Sequence, residues 1–166
     1  MLSFLPKYWF PKLTDIPPEF LQERGITLLL LDFDNTMLPY TTDVPTAELL
    51  AWLDRMRVAG IRLCIVSNSH RQRVPNFSAQ YGVPCVLRAV KPRTRGIRAA
   101  MRQFSAKKAE TALVGDQTYT DVLGANLAGI TSLQVRSIHN HTIWLKLRHV
   151  LELPCLWMAK RRRVNV

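Results

Sequence analysis

The chain has 166 residues, 48% of them hydrophobic, and carries 23 basic against 12 acidic side chains for a formal net charge of +11. That length suits one domain with its own core. The three cysteines are odd in number, sit in apolar surroundings and lack C-x-x-C spacing, which excludes a disulfide framework or zinc site and points to a reducing cytoplasm.

No apolar run approaches the roughly 18 residues of a membrane span, and the first ten residues lack a signal peptide's sustained apolar core. A soluble or at most surface-bound protein is expected. The positive charge falls in two zones. Between Arg88 and Lys108 stand Arg88, Lys91, Arg93, Arg95, Arg98, Arg102, Lys107 and Lys108 with no acid, and from Arg136 onward Lys146, Arg148 and the run 160–163 face Glu152 alone. Such zones either solvate helix faces or favour polyanionic partners, whether nucleic acid, anionic lipid or phosphorylated substrates.

Residues 1–25 interleave Phe4, Tyr8, Trp9 and Phe10 with Pro6, Pro11, Pro17 and Pro18. The prolines oppose a long helix and the aromatics oppose plain disorder, so an arm is expected, packed on the domain or set against a membrane surface, with a short helix between Pro18 and Gly25. An apolar run from Ile26 then ends abruptly in LDFDNT. A buried strand that stops at Asp32 and Asp34 has delivered both carboxylates to the edge of a sheet. Asp-x-Asp-Asn is also ordinary turn and N-cap chemistry, and an EF-hand fits poorly because Met37 stands where the calcium loop needs glycine. A loop over 38–43 leads to a helix with Pro45 in its first turn, Leu49, Leu50, Leu53 and Met56 at helical spacing, and Gly60 as its stop.

The second apolar strand, 61–66, ends in Ser67, Asn68 and Ser69. A helix over 71–81 is expected despite Pro75, closed by Gly82. A third strand over 84–90 ends at Lys91, and Pro92 suits the start of a helix that buries Ile97, Met101 and Phe104. The fourth strand, 112–114, runs into Gly115, Asp116 and Gln117, after which Asp121 opens a short helix ending near Gly129. Thr131–Val135 is a fifth strand. Beyond it, Ile143, Leu147, Val150 and Leu151 suggest a further helix, followed by Pro154, Trp157 and the basic run 160–163. The expected division is an arm over 1–25, a core over 26–136, and a C-terminal helix with a basic tail over 137–166. Alternating strands and helices imply right-handed crossovers and a parallel sheet, an α/β fold whose strand ends converge on one edge.

Those ends carry Asp32 with Asp34, Ser67, Lys91, and Asp116 with Asp121, which together suit phosphoryl transfer. A carboxylate attacking a phosphate dianion needs positive charge already in place. Mg²⁺ held by Asp32 and Asp116 would supply it, while Lys91 and the Ser67 hydroxyl hold phosphate oxygens. Asp32 would form an aspartyl-phosphate, and Asp34 would protonate the leaving oxygen and then deprotonate the attacking water. Each residue alone is as well explained by a cap, turn or surface charge; four strand ends in order are not.

The series DFDNT, IVSN, Lys91-Pro92 and GDQTYTD resembles, in order and spacing, the four motifs of the haloacid dehalogenase (HAD) superfamily phosphatases, across about residues 26–135. The resemblance implies a Rossmann-like fold, a central parallel sheet flanked by helices. It further implies Asp32 as nucleophile, Asp34 as general acid/base and main-chain metal ligand, and Asp116 as the second metal carboxylate. Ser67 and Asn68 match phosphate-binding positions, Lys91 the charge-balancing lysine, and Thr36 and Asp121 supporting positions. Asn35 and the phrase GDQTYTDVLGANLAG are further similar to the small YqeG-type members of subclass IIIA, a group that includes phosphatidylglycerophosphate phosphatases. Met37 departs from the usual Leu, which affects only packing. About thirty residues separate the first two motifs and one helix takes much of them, so no cap domain is expected and the site should admit large substrates.

The leading expectation is thus a Mg²⁺-dependent phosphomonoesterase with a lipid phosphate as substrate, cytoplasmic, its basic tail meeting anionic lipid at the inner membrane surface. A nucleic-acid-end or protein phosphatase, and a non-catalytic basic module on the same scaffold, are the competing readings.

Overall fold

Leu28, Leu29, Leu30 and Leu31 are all fully buried, which a strand achieves only when both faces of its sheet are covered. The structure, a computed structural model that describes residues 4–138, contains six strands: β1 (Tyr8–Phe10), β2 (Leu28–Leu31), β3 (Arg62–Val66), β4 (Cys85–Val86), β5 (Thr111–Gly115) and β6 (Thr131–Val135). They form one wholly parallel sheet in the order β1-β6-β5-β2-β3-β4. The helices are α1 (Pro18–Gln22), α2 (Ala47–Val58), α3 (Arg73–Tyr81), α4 (Arg95–Gln103) and α5 (Leu123–Ala128).

The period of two along a strand sorts these helices into layers. Leu29 and Leu31 pack with Phe20 and Leu21 of α1, Leu49, Trp52, Leu53 and Met56 of α2, and Val74 and Phe77 of α3. Leu28 and Leu30 face the opposite way, onto Ile97, Ala100 and Met101 of α4 and Ala125 and Ala128 of α5. Leu31 is level with Ile65 of β3 and Val114 of β5. The central strands therefore end together, and the polar residues that follow them leave from one edge, the crevice side of an open parallel sheet.

Several local expectations change. The aromatic segment at the N-terminus is not merely packed on the domain: β1 joins the sheet beside β6, with Trp9 and Phe10 buried and Tyr8 edge-on to Phe20. The third strand, expected over 84–90, is only Cys85–Val86 long, because Arg88 and Val90 take positive φ values of 50° and 55° that no strand accommodates. Helix α2 starts two residues after Pro45, with Thr46 accepting a bond from the Leu49 N–H as its N-cap. Pro75 is tolerated because it lies in the first turn of α3, where no intrahelical N–H bond is lost. The segment from Thr118 to Val122 is a π-type turn that runs into α5, so Asp121 lies inside a turn instead of opening a helix.

Between β2 and β3 the chain forms only a loop and α2, and no domain is inserted there. No helix of the described residues is long and apolar enough to cross a membrane. The expected helix near 143–151 and the basic run 160–163 lie outside the described residues.

Trp52 is the largest fully buried side chain among the described residues, and its Nε1–H donates to the Ile16 carbonyl at 2.8 Å, tying α2 to the segment before α1. Trp52→Ala should cost about 3–5 kcal/mol, read as a lower urea midpoint at unchanged m-value. A cost below ~1 kcal/mol would contradict this packing.

Candidate active site

Asp32 follows β2 directly, and its backbone N–H still bonds the Val114 carbonyl of β5 at 2.9 Å. Asp116 follows β5 in the same way. Asp121 is brought back beside them by the π-type turn, in which its Oδ2 accepts the Gln117 N–H at 3.1 Å. The close approach requires Gly115: a Cβ there would lie 2.3 Å from Asp121 Cγ. The result is three buried carboxylates, those of Asp32, Asp116 and Asp121, with oxygens within 4.8 Å of one another. Thr36 bridges two of them, its hydroxyl 3.2 Å from Asp32 Oδ2 and 3.3 Å from Asp116 Oδ1.

Lys91 answers part of this charge. Its Nζ lies 2.7 Å from Asp32 Oδ1 and 2.7 Å from Asp121 Oδ1, with the side chain 1% exposed. Burial alone would favour the neutral amine, but the carboxylates of Asp121 and then Asp32 outweigh it and hold the ammonium form. One ammonium does not neutralise three carboxylates. Burial, then Asp32 and Asp121, push Asp116 well above the ordinary carboxylate range. Burial also lifts Asp121 to about 6 against the pull of Lys91, with Asp32 adding to the rise. A crowded set of carboxylate oxygens without His or Cys suits a hard divalent cation, which would relieve both the burial cost and the repulsion.

The loops after β3 and β4 close the other side. Ser67 is buried and lines a cavity of about 410 Å³ with Asp32, Asp34, Tyr40, His70, Arg71 and Lys91 among its walls. The Asn68 side chain bonds both ways to the Lys91 backbone, accepting from its N–H at 2.6 Å and donating to its carbonyl at 3.0 Å. Ala89 N–H also donates to the Ser67 carbonyl at 3.0 Å, so the 88–91 loop is pinned to the Ser67 loop.

Asp34 does not join the carboxylate cluster with its side chain. Its Oδ1 lies 3.1 Å from Nη1 of Arg73, whose Nη2 donates to the carbonyls of Pro39 at 2.8 Å and Thr42 at 2.6 Å and whose Nε lies 2.8 Å from Asp43 Oδ1. Burial raises Asp34 and Arg73 opposes the rise. One buried guanidinium thus holds both the second carboxylate and the loop that forms the mouth of the cavity.

All the strand-end residues singled out in the sequence therefore meet at one edge. Asp32, Ser67, Lys91, Asp116 and Asp121 surround one space, and Thr36 braces it. The Asn68 amide is engaged by the Lys91 backbone, while the Ser67 hydroxyl, which accepts the Ser69 N–H at 3.0 Å, lines the cavity. Sequence reasoning missed Arg73, Arg71 and Tyr40. Arg73 carried one usable signal, that a carboxylate next to buried Phe33 needs a counter-charge, but nothing in the spacing says which of the following arginines supplies it.

A family model described as haloacid dehalogenase-like hydrolase matches residues 7–129, and the chain belongs to that family of hydrolases. Within it the chain is a phosphatase, a phosphoric monoester hydrolase. It is 36% identical over 132 residues to the Bacillus subtilis (strain 168) protein named Probable phosphatase YqeG, covering 80% of this chain and 77% of that one. It is 25% identical over 132 residues to glyceraldehyde 3-phosphate phosphatase of Pyrococcus abyssi (strain GE5 / Orsay), covering 74% of this chain but half, 50%, of that one. Among solved structures, the cobalt-bound deoxy-D-mannose-octulosonate 8-phosphate phosphatase of Haemophilus influenzae superimposes with a TM-score of 0.56 at 17% identity, covering 75% of each chain. The 3-deoxy-D-manno-octulosonate 8-phosphate phosphatase of Yersinia pestis gives 0.53 at 13% identity, covering 86% of this chain and 87% of that one. At such identities these two establish the shared fold.

The carboxylate crowding has a pH signature. Asp121 rises from 3.8 to about 6 on folding, so at intermediate pH the folded chain keeps a proton that the unfolded chain has released. That stability is complete below the unfolded value and is lost as pH rises through the folded one. In chelator, Asp116→Asn should therefore raise Tm at about pH 7.5 and by less at about pH 5, by ~3 °C for each ~1 kcal/mol of repulsion relieved. The rise in Tm that a divalent cation gives the parent should disappear in the variant. A variant less stable than the parent in chelator at the higher pH would contradict the repulsion.

Proposed function

We propose that this phosphatase is Mg²⁺-dependent, works through an aspartyl-phosphate on Asp32, and acts on a lipid phosphate, phosphatidylglycerophosphate being the substrate suggested by the YqeG-type motifs. The observation that supports the mechanism is the different surroundings of two carboxylates two residues apart. Asp32 sits among Lys91, Thr36 and the other acids, whereas Asp34 is held apart by Arg73. One is placed to attack and the other to handle a proton.

Asp32, Asp116 and Asp121, with the Asp34 main-chain carbonyl, would hold the Mg²⁺. Bound there, it supplies the positive charge that lets an anionic nucleophile approach a phosphate dianion. The Ser67 hydroxyl and the Lys91 ammonium hold non-bridging phosphate oxygens and so fix the phosphorus opposite the Asp32 carboxylate. An oxygen of Asp32 attacks phosphorus, the ester P–O bond breaks, and the departing alkoxide takes the Asp34 proton. The Asp34 carboxylate then removes a proton from a water whose oxygen attacks the same phosphorus. The bond to Asp32 breaks and inorganic phosphate leaves.

The lipid assignment is supported by the absence of an inserted cap between β2 and β3 and by an exposed basic band that runs from the loop before Lys91 along α4. Arg88, Arg93, Arg95, Arg98 and Arg102 are exposed, and none has an ion pair or side-chain hydrogen bond among the described residues. Such a band suits an anionic bilayer and a peripheral position at the inner membrane surface. It suits a nucleic-acid end as well, so vesicle-borne phosphatidylglycerophosphate should be hydrolysed faster than a 5′-phosphorylated RNA; the reverse order would transfer the assignment to nucleic acid.

Asp32→Asn should abolish turnover with the fold intact, and near-normal hydrolysis by that variant would sink the mechanism. Asp34→Asn should lower kcat/KM about 10²–10⁴-fold for alkyl phosphates. The loss should be much smaller for p-nitrophenyl phosphate, whose phenolate leaves without a proton. Equal losses on both would remove the acid role from Asp34. EDTA should abolish activity and Mg²⁺ restore it, with Ca²⁺, larger and more loosely coordinated, a poor substitute. Full activity after chelation is incompatible with this site.

A further inference from the structure

Three cations border the cavity and its mouth, and two already have partners. Lys91 is paired with Asp32 and Asp121. Arg73, just behind the wall, is paired with Asp34 and Asp43. Arg71 lines the cavity with neither an ion pair nor a side-chain hydrogen bond among the described residues, and its guanidinium lies 5.6 Å from the centre of the Tyr40 ring. Both sides of that contact are fixed. The Arg71 backbone N–H donates to Ser69 Oγ at 3.1 Å, and the Tyr40 loop is held through its Pro39 and Thr42 carbonyls by Arg73. A guanidinium resting on an aromatic face is weakly hydrated, and its N–H fork stays free for an oxyanion.

Its position identifies which part of a ligand it meets. The transferred phosphoryl group is surrounded by Asp32, Ser67 and Lys91. Arg71 is on the Asp34 side: it stands on Tyr40, whose loop is held by the same Arg73 that pairs with Asp34. That is the side on which the alcohol departs. The cavity, about 410 Å³, is also far larger than a phosphoryl group requires.

We propose that Arg71, standing on Tyr40, binds a second anionic group on the alcohol portion of the substrate, a carboxylate or a phosphodiester, so that the site selects phosphate monoesters whose leaving group is itself charged. The subsite rests on the phosphatase reading above but not on the lipid assignment. Binding to the Asp32→Asn chain with Mg²⁺, measured by calorimetry, tests it without turnover. Three esters of one glycerol skeleton serve as probes: glycerol 3-phosphate, 3-phosphoglycerate for the carboxylate, and glycerophosphoglycerol phosphate for the phosphodiester. At least one anionic ester should bind about tenfold tighter than glycerol 3-phosphate, the scale of one charge-assisted contact at a solvent-open site, and the better of the two identifies the source of the anion.

Adding Arg71→Gln should bring that affinity ratio to within about twofold of unity, and Arg71→Lys should retain part of it. No preference in the parent, or a ratio unchanged by Arg71→Gln, overturns the proposal. The second result includes the case in which all three esters weaken equally, which would assign Arg71 to the transferred phosphoryl group. Failure of the phosphatase reading would show separately, as absent p-nitrophenyl phosphate turnover by the parent chain.

Discussion

The structure depends most on the pairing of one buried ammonium with more carboxylate than it can neutralise. Lys91 lies 2.7 Å from both Asp32 and Asp121, and Asp116 completes the group. Removing charges from water is costly and is repaid only where geometry and hydrogen bonding are good. Here the repayment is incomplete, as the raised Asp116 and Asp121 show. The same deficit of positive charge that weakens the fold makes the site receptive to a divalent cation. Folding stability and ligand affinity are therefore set against one another at these residues.

Much of the fold serves to keep that cluster in register. Parallel strands with covered faces end at one level, so Asp32 and Asp116 emerge side by side without either chain segment bending to reach the other. Gly115 lets the Asp121 carboxylate approach where any side chain would collide. The Lys91 backbone is clamped by the Asn68 amide, so the residue next to Ser67 contributes through the loop it holds. The positive φ values of Arg88 and Val90 end β4 early and turn its continuation toward the Ser67 loop, which is how Lys91 reaches the site from an edge strand.

On the opposite side of the cavity, Arg73 performs for Asp34 what Lys91 does for Asp32, with a different result. A planar guanidinium can bind a carboxylate and two main-chain carbonyls at once, so it couples the orientation of Asp34 to the order of the loop that carries Tyr40. In a phosphatase with no inserted cap, that loop and the Ser67–Arg71 turn are what shape the mouth.

The amino-acid sequence by itself determined the parallel α/β layering, the strand ends that carry Asp32, Asp34, Ser67 and Asp116, the order in which Lys91 and Asp121 follow, and the phosphatase motifs, because these are local signals: apolar runs, helical spacing and motif order. Only the tertiary structure decided that Tyr8–Phe10 becomes an edge strand, since its partner, β6, lies more than a hundred residues away along the chain. Only it could show that Asn68 serves the Lys91 backbone and that Arg73, not Arg71, neutralises Asp34. Arg71 and Arg73 carry the same side chain and are separated only by Gln72, and no propensity or spacing distinguishes them. Which one is buried and paired depends on how the start of α3 sits against the loop after β2, a contact between segments whose order in sequence carries no record of their distance in space.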